Sequence, residues 1–342
     1  MKILITGGCG FVGSNIAIFL KKKLKNSQIY TLDNLYRKGS KLNQLRLVNH
    51  GIQNYNIDIN DFKKISKLKK FNLVIDCCAE PAIEASKKNP DRVFKTNLIG
   101  TFNILKKCIS DKSNIIFLSS SRVYSIKKLR RLVKNTNLKR PITNIKTINE
   151  SFETSSPSSL YGFTKLSSEK LIKEFSFISS LKYIINRFGV IAGPWQFGKQ
   201  DQGFVSLWIA KHLLKKKLSY IGFGGHGNQI RDLIHIDDVN YIIYLQIKNL
   251  KNKYNETYNI GGGIKNTISL KQLTNKCQKI TGNKLKIHKQ KNTSIFDIQS
   301  YITDNSKIKR IYKWTPKKSV DNIVVDIYGW LKINKNLWKY FK

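Results

Sequence analysis

Tyr161 and Lys165 stand four residues apart in Tyr161-Gly162-Phe163-Thr164-Lys165, a spacing with chemical consequences. On a helix, residues at i and i+4 share a face, so a phenol and an ammonium converge. A phenol with its ordinary pKa of about 10 is a poor base at neutral pH. A neighbouring cation favours the phenolate and lowers that pKa, which makes Tyr161 a candidate to take a proton from a hydroxyl. The pattern also arises by chance, and without further context Lys165 in a lysine-rich chain reads more readily as one more surface lysine. Ser119-Ser120-Ser121 closes an apolar run at 114–118. If that run is a strand, Ser120 presents a hydroxyl at the carboxyl edge of a sheet, where open α/β sheets bind ligands.

A second group of residues suits a dinucleotide. Gly7-Gly8-Cys9-Gly10-Phe11-Val12-Gly13 follows the first apolar run and opens a helical pattern, with Gly7, Gly10 and Gly13 spaced G-x-x-G-x-x-G. Glycines in such a turn let the backbone approach a pyrophosphate, and the free N–H groups of the helix N-terminus stabilise its charge. Asp33 ends the second apolar run, twenty residues beyond Gly13. An acidic side chain there accepts from both hydroxyls of the adenosine ribose and repels a 2′-phosphate, which favours NAD over NADP. Arg37 and Lys38 stand close by in sequence and suit a 2′-phosphate, the opposite preference. Asp58 is placed either to accept from the adenine amino group or to cap the helix before Phe62; the spacing allows both.

These residues need a frame. Apolar runs at 2–6, 28–32, 53–57, 73–77, 114–118 and 183–187 alternate with helical patterns near 11–24, 40–49, 61–70, 91–109 and 160–178. Alternation of this kind predicts an α/β fold, a Rossmann-type doubly wound parallel sheet with helices on both faces. Beyond Gly193-Pro194 the pattern turns irregular and glycine-rich, which suggests a smaller C-terminal substrate-binding lobe. The expected division is a dinucleotide-binding domain of residues 1–188 plus about 236–255, and a lobe of 189–235 and 256–342. The polar, lysine-rich stretch 125–149 reads as a surface insertion.

Composition narrows the function classes. Five cysteines, odd in number and without a C-x-x-C pair, point to reduced thiols rather than a disulfide framework or a metal site. No apolar run is long enough to span a bilayer, and the N-terminal run is too short for a signal peptide, so a cytoplasmic protein with no membrane partner is expected. The net charge of +41 alone would suggest a nucleic-acid partner. Lysine far outnumbers arginine, however, asparagine and isoleucine are also abundant, and the lysines are scattered, a pattern of A/T-rich codons and a solvated surface. No nucleic acid is expected; an inactive Rossmann-fold RNA-binding protein is the alternative of a different class.

The motifs together resemble the extended short-chain dehydrogenase/reductases, specifically the NAD-dependent nucleotide-sugar epimerases and dehydratases. The likeness rests on Thr6 to Gly13, Asp33, Asn97-Leu98-Ile99-Gly100-Thr101, Leu118 to Tyr124, Tyr161 to Lys165 and Arg231-Asp232-Leu233-Ile234-His235. It implies Tyr161 as base, Lys165 as ribose-binding residue that lowers its pKa, and Ser120 as the hydroxyl that orients substrate. It implies NAD contacts from Gly7, Gly10, Phe11, Val12, Gly13, Asp33, Asn34, Arg37, Asp58, Ile59, Cys78, Ala79 and Asn97, although Asn97 also suits a helix cap. Arg231 is implied as a diphosphate ligand, with an ion pair to Asp232 as its other reading.

Looser likenesses in Asp33-Asn34-Leu35-Tyr36-Arg37-Lys38-Gly39, in residues 195–203 and in Gly227-Asn228-Gln229-Ile230 favour the branch that epimerises CDP-linked deoxysugars at C2, with UDP-sugar 4-epimerases as the rival. They add Gln196 and Gln202 as substrate contacts. Family members usually dimerise through two long helices, here about 91–109 and 160–178, so the resemblance implies a homodimer acting on a CDP- or UDP-linked sugar. The chain departs from the pattern at Asp76, Glu80 and Pro81, and at Ser294-Ile295-Phe296-Asp297, where many members carry an arginine.

Overall fold

A computed structural model describes residues 1–81, 88–133, 137–143, 145–199 and 202–341. Two compact units emerge: one of Met1–Val123, Ser159–Arg187 and Val239–Tyr258, the other of Tyr124–Ser158, Phe188–Asp238 and Asn259–Lys342.

The first unit is built on a seven-stranded sheet. Its strands are β1 (Lys2–Thr6), β2 (Gln28–Leu32), β3 (Gln53–Tyr55), β4 (Leu73–Asp76), β5 (Asn114–Ser120), β6 (Tyr183–Phe188) and the strand Glu256–Ile260. Reading from the Glu256–Ile260 edge, the order is β6, β5, β4, β1, β2, β3. The pairs β1–β2, β1–β4, β2–β3 and β4–β5 are parallel. A parallel sheet is covered on both faces, which is why β4 and β6 are buried at every position instead of alternating. The chain turns back between β1 and β4, and the crevice at the carboxyl ends of these strands is where doubly wound sheets hold ligands. Thr6 and Asp76 face each other there, the threonine hydroxyl donating to the carboxylate at 2.5 Å.

Two helices bring the remaining chemistry to that edge. Pro90–Phe94 and Gly100–Asp111 are joined by a π-type turn over Lys95–Ile99, which widens the helix at Asn97. Such turns recur where a helix must offer a side chain out of register. The helix Leu160–Phe177 starts on Ser159, whose hydroxyl accepts from the Gly162 amide at 3.2 Å. Its buried face carries Tyr161, Thr164, Lys165, Ser168, Glu169 and Ile172, the three- and four-residue steps of one helical stripe. Ile172 packs into the main core with Leu4, Ile104, Ile115, Phe117 and Ile185.

Glu169 fixes this helix against the end of β5. The Ser119 hydroxyl donates to Glu169 Oε1 at 2.5 Å, and Arg187 from β6 donates to the same carboxylate through Nε at 3.0 Å and Nη2 at 2.6 Å. Both partners are buried, so removing one takes away the other's counter-charge.

The second unit centres on the strand Ile230–His235, which pairs with Val190–Ala192, Thr267–Ser269 and Ser300–Tyr301. A separate parallel pair joins Leu218–Ile221 to Ile287–Gln290. The 125–149 stretch is no surface insertion. Its helix Ile126–Arg131 buries Ile126 and Leu129, Ile142 packs against Ile230 and Ile302, and the Ile148 amide donates to the Ile302 carbonyl at 2.8 Å.

Glu169→Ala is expected to lower stability by about 3–5 kcal/mol, since the buried Arg187 cation would lose its Glu169 carboxylate. Chemical denaturation followed by circular dichroism checks this.

Candidate functional site

The glycine loop forms around one left-handed residue. Gly7 has φ of +59°, and a Cβ there would stand 2.9 Å from the Cys78 Cα. Gly13 is closed in further: a Cβ would lie 2.4 Å from the Gly7 carbonyl oxygen. The turn is held by Gly10 N donating to Gly7 O at 2.9 Å. No side chain caps the helix Phe11–Lys23 at Gly10, so Phe11, Val12 and Gly13 offer uncapped first-turn amides.

Asp33 lies beside this loop, its carboxylate accepting from Cys9 N at 3.0 Å and Leu35 N at 2.8 Å. Burial pushes its pKa up, against those amides and the Arg37 charge, which pull it down. Asn34 donates to Asp58 at 2.7 Å, and Asp58 also accepts from Asn60. The helix at Phe62 is capped by Asp61 instead, leaving Asp58 at the edge of this group. Ile59 is buried against Gly100, where a Cβ would approach its Cγ2 to 2.7 Å. Cys78 N donates to Thr6 Oγ1 and Asp76 Oδ1, both at 3.2 Å, and Ala79 follows, half-buried. All five cysteines are free, and the described residues contain no cluster able to hold a metal.

Asn97 is not a helix cap. Its Oδ1 accepts from Glu80 N at 2.8 Å, while its Nδ2 donates to Glu80 O at 3.2 Å and to Thr164 Oγ1 at 3.1 Å. One side chain thus ties the loop after β4 to the helix of Tyr161. Glu80, noted in the sequence only as a departure, is the centre of a charged cluster. Its buried carboxylate pairs with Arg37 Nη1 at 2.7 Å and Arg92 Nε at 3.2 Å, and the Arg92 guanidinium lies 3.2 Å from the Tyr36 ring centroid. The arginine that could serve a 2′-phosphate is therefore already engaged by a carboxylate, which it shares with Arg92.

At the end of β5, Ser120 shares a hydrogen bond with the buried Tyr161 phenol and accepts from Arg122 N at 3.2 Å. Burial is the largest influence on the phenol and pushes its pKa up; the Ser120 bond and the Arg122 charge pull it down. Lys165 is buried with its amine 4.3 Å from the Phe117 ring centroid and no hydrogen-bond partner among the described residues. Burial lowers its pKa, with the Asp76 charge opposing. An orphaned buried ammonium is costly unless something accepts from it. The ribose hydroxyls of a dinucleotide would do so, and the glycine cradle, Asp33 and Lys165 together fit one.

The other expected contacts lie in the second unit. Gln196 is engaged locally, its amide donating to Ile191 O at 3.0 Å and accepting from Ser206 Oγ at 2.5 Å. Gln202 closes a turn with Lys199, while Gln200 and Asp201 of the same motif fall outside the described residues. Arg231 pairs with Asp297 at 3.1 Å, and Asp232 instead accepts from Gly263 N at 3.0 Å.

A profile of the NAD dependent epimerase/dehydratase family matches residues 3–261. The chain belongs to that family. It is similar to CDP-paratose 2-epimerase of Salmonella typhi, 27% identical over 96% of this chain and 99% of the relative. It is similar also to UDP-glucuronate 4-epimerase of Thermodesulfobacterium geofontis, 28% identical over 99% and 98%. Among solved structures, UDP-glucuronic acid 4-epimerase from Bacillus cereus in complex with UDP-glucuronic acid and NAD superposes with a TM-score of 0.82 at 25% identity, covering 97% of this chain and 99% of that one. The protein is thus an NAD-dependent enzyme of the nucleotide-sugar epimerase and dehydratase type, on a Rossmann-type sheet.

Glu80→Gln would leave Arg37 and Arg92 without their carboxylate. NADP affinity is expected to rise about tenfold, the size of one charge-assisted contact, with NAD affinity nearly unchanged. Calorimetric titration with both dinucleotides reads the ratio.

Proposed function

We propose that this enzyme inverts one hydroxyl-bearing carbon of a nucleoside-diphosphate sugar through a transient keto sugar. The reading rests chiefly on the joined Ser120 and Tyr161 hydroxyls, with Lys165 on the same buried helix face. Bound NAD supplies a hydride acceptor and donor. Ser120 holds the reacting oxygen, and Tyr161 takes its proton and later returns it. Lys165 holds the ribose, and its charge with that of Arg122 favours the phenolate. Among described residues next to Ser120, Ser121 and Arg122 provide no carboxylate to drive dehydration, which favours epimerisation. Arg231 is the proposed diphosphate ligand, and its planar fork suits paired phosphate oxygens.

The preferred substrate is a CDP-deoxysugar inverted at C2, the CDP-paratose to CDP-tyvelose type. Support comes from the full-length likeness to the Salmonella enzyme and from the residues after Asp33 and after Pro194. UDP-sugar relatives are as similar, so 4-epimerisation of a UDP-sugar is the second reading. Phe94, Ile99, Ile109 and Phe163 leave apolar surface exposed on the two long helices, which supports pairing with a second copy. No helix among the described residues is long and apolar enough to cross a membrane.

A panel of CDP- and UDP-linked sugars followed by NMR tests the assignment. Inversion at C2 of a CDP-deoxysugar is expected; inversion only at C4 would move the enzyme to the second reading. Tyr161→Phe is expected to lower turnover about a hundredfold or more while NAD stays bound.

A further inference from the structure

We propose that Arg130, outside every motif of the sequence, is a second cation for the substrate diphosphate, beside Arg231. The proposal rests on the nucleotide-sugar reading above and adds a ligand to it.

Arg130 sits on Ile126–Arg131, a short helix anchored by the burial of Ile126 and Leu129. Its Nε donates to the Asp297 carbonyl at 2.9 Å and its Nη2 to the Ser294 carbonyl at 3.0 Å. Arg231 reaches the same loop, with Nη2 donating to Asp297 Oδ1 at 3.1 Å and to the Ile298 carbonyl at 2.9 Å. Two guanidinium groups from distant parts of the sequence therefore hang on residues 294–298.

Their pairing is unequal. Arg231 is paired with Asp297 and also feels the buried Asp232 carboxylate, whereas Arg130 is held by neutral carbonyls and forms no ion pair with a carboxylate among the described residues. The geometry also leaves capacity. A guanidinium has five N–H donors, and Arg130 uses one lateral edge, Nε and Nη2, on the loop. The outer edge, Nη1 and the second Nη2 proton, is the pair of parallel donors that forks onto phosphate oxygens. In a chain where lysine far outnumbers arginine, a carbonyl-anchored arginine with a spare fork is suited to that work, as a lysine is not. The loop itself carries Ser294 and no arginine between 294 and 298, and Arg130 brings a guanidinium to it through space.

The test compares Arg130→Gln and Arg130→Lys with Arg231→Gln in the full-length enzyme loaded with NAD, using CDP and UDP as probes and the bare nucleosides as controls. Arg130→Gln should weaken diphosphate binding about tenfold or more, with nucleoside and NAD binding unchanged. Arg130→Lys should restore only part, because the charge returns without the fork. Full diphosphate affinity in Arg130→Gln, with affinity lost in Arg231→Gln, would overturn the proposal and leave the reading of the site intact. Equal losses for nucleoside and diphosphate would make Arg130 a brace for the loop and also overturn it. Unchanged binding in Arg231→Gln would instead refute the diphosphate reading itself.

Discussion

Burial of the Tyr161 phenol opposes the ionisation that a proton-abstracting tyrosine needs, and the surroundings of Tyr161 are arranged against that opposition. Water excluded from the phenol cannot stabilise a phenolate, so the protein must do it with fixed groups. Ser120 provides a hydrogen bond and Arg122 a positive charge, each lowering the pKa that burial raises. Lys165 adds a buried amine one helical turn on, resting over the Phe117 ring and held electrostatically by Asp76. All of this depends on the helix Leu160–Phe177 keeping its register against β5, which the Ser119–Glu169–Arg187 contacts secure.

The same economy of position governs the dinucleotide end. Asp33 is prepared by two backbone amides, the glycine loop by close packing on Cys78, and the loop after β4 by the three hydrogen bonds of Asn97. Thr164, which accepts one of those bonds, lies between Tyr161 and Lys165 on the helix. A shift of the reacting helix would therefore be felt at Glu80, and through its carboxylate at Arg37 and Arg92. The loop after β4 and the helix of Tyr161 are thus joined through one set of contacts.

Much of this was legible in the sequence. The six strands of the βα alternation and their helices announced themselves as apolar runs and helical stripes, because a parallel sheet buries both faces. The glycine loop, Asp33, Ser120 and the Tyr161–Lys165 pair are local patterns, and local patterns survive in a single sequence. Partnerships between distant segments did not. Nothing in the spacing said that Glu80 would hold Arg37, or that Arg231 would choose Asp297 over its neighbour Asp232. Asn97 reads from sequence as a cofactor neighbour or a helix cap; its bonds to Glu80 and Thr164 join segments the spacing does not connect. The 125–149 stretch misled for another reason. Lysines and a proline surround four buried isoleucine and leucine positions, Ile126, Leu129, Ile142 and Ile148, too few and too widely spread to mark a core element.

In the proposed reaction a hydroxyl-bearing carbon is oxidised and then reduced again on its opposite face, with Tyr161 handling the proton. Deuterium placed on the reacting carbon of the nucleotide sugar tests it most directly, with the inverted product read by NMR. The account predicts that the label stays on that carbon after inversion, without exchange into water. Loss of the label to solvent would mean a proton is drawn from carbon, and would contradict it.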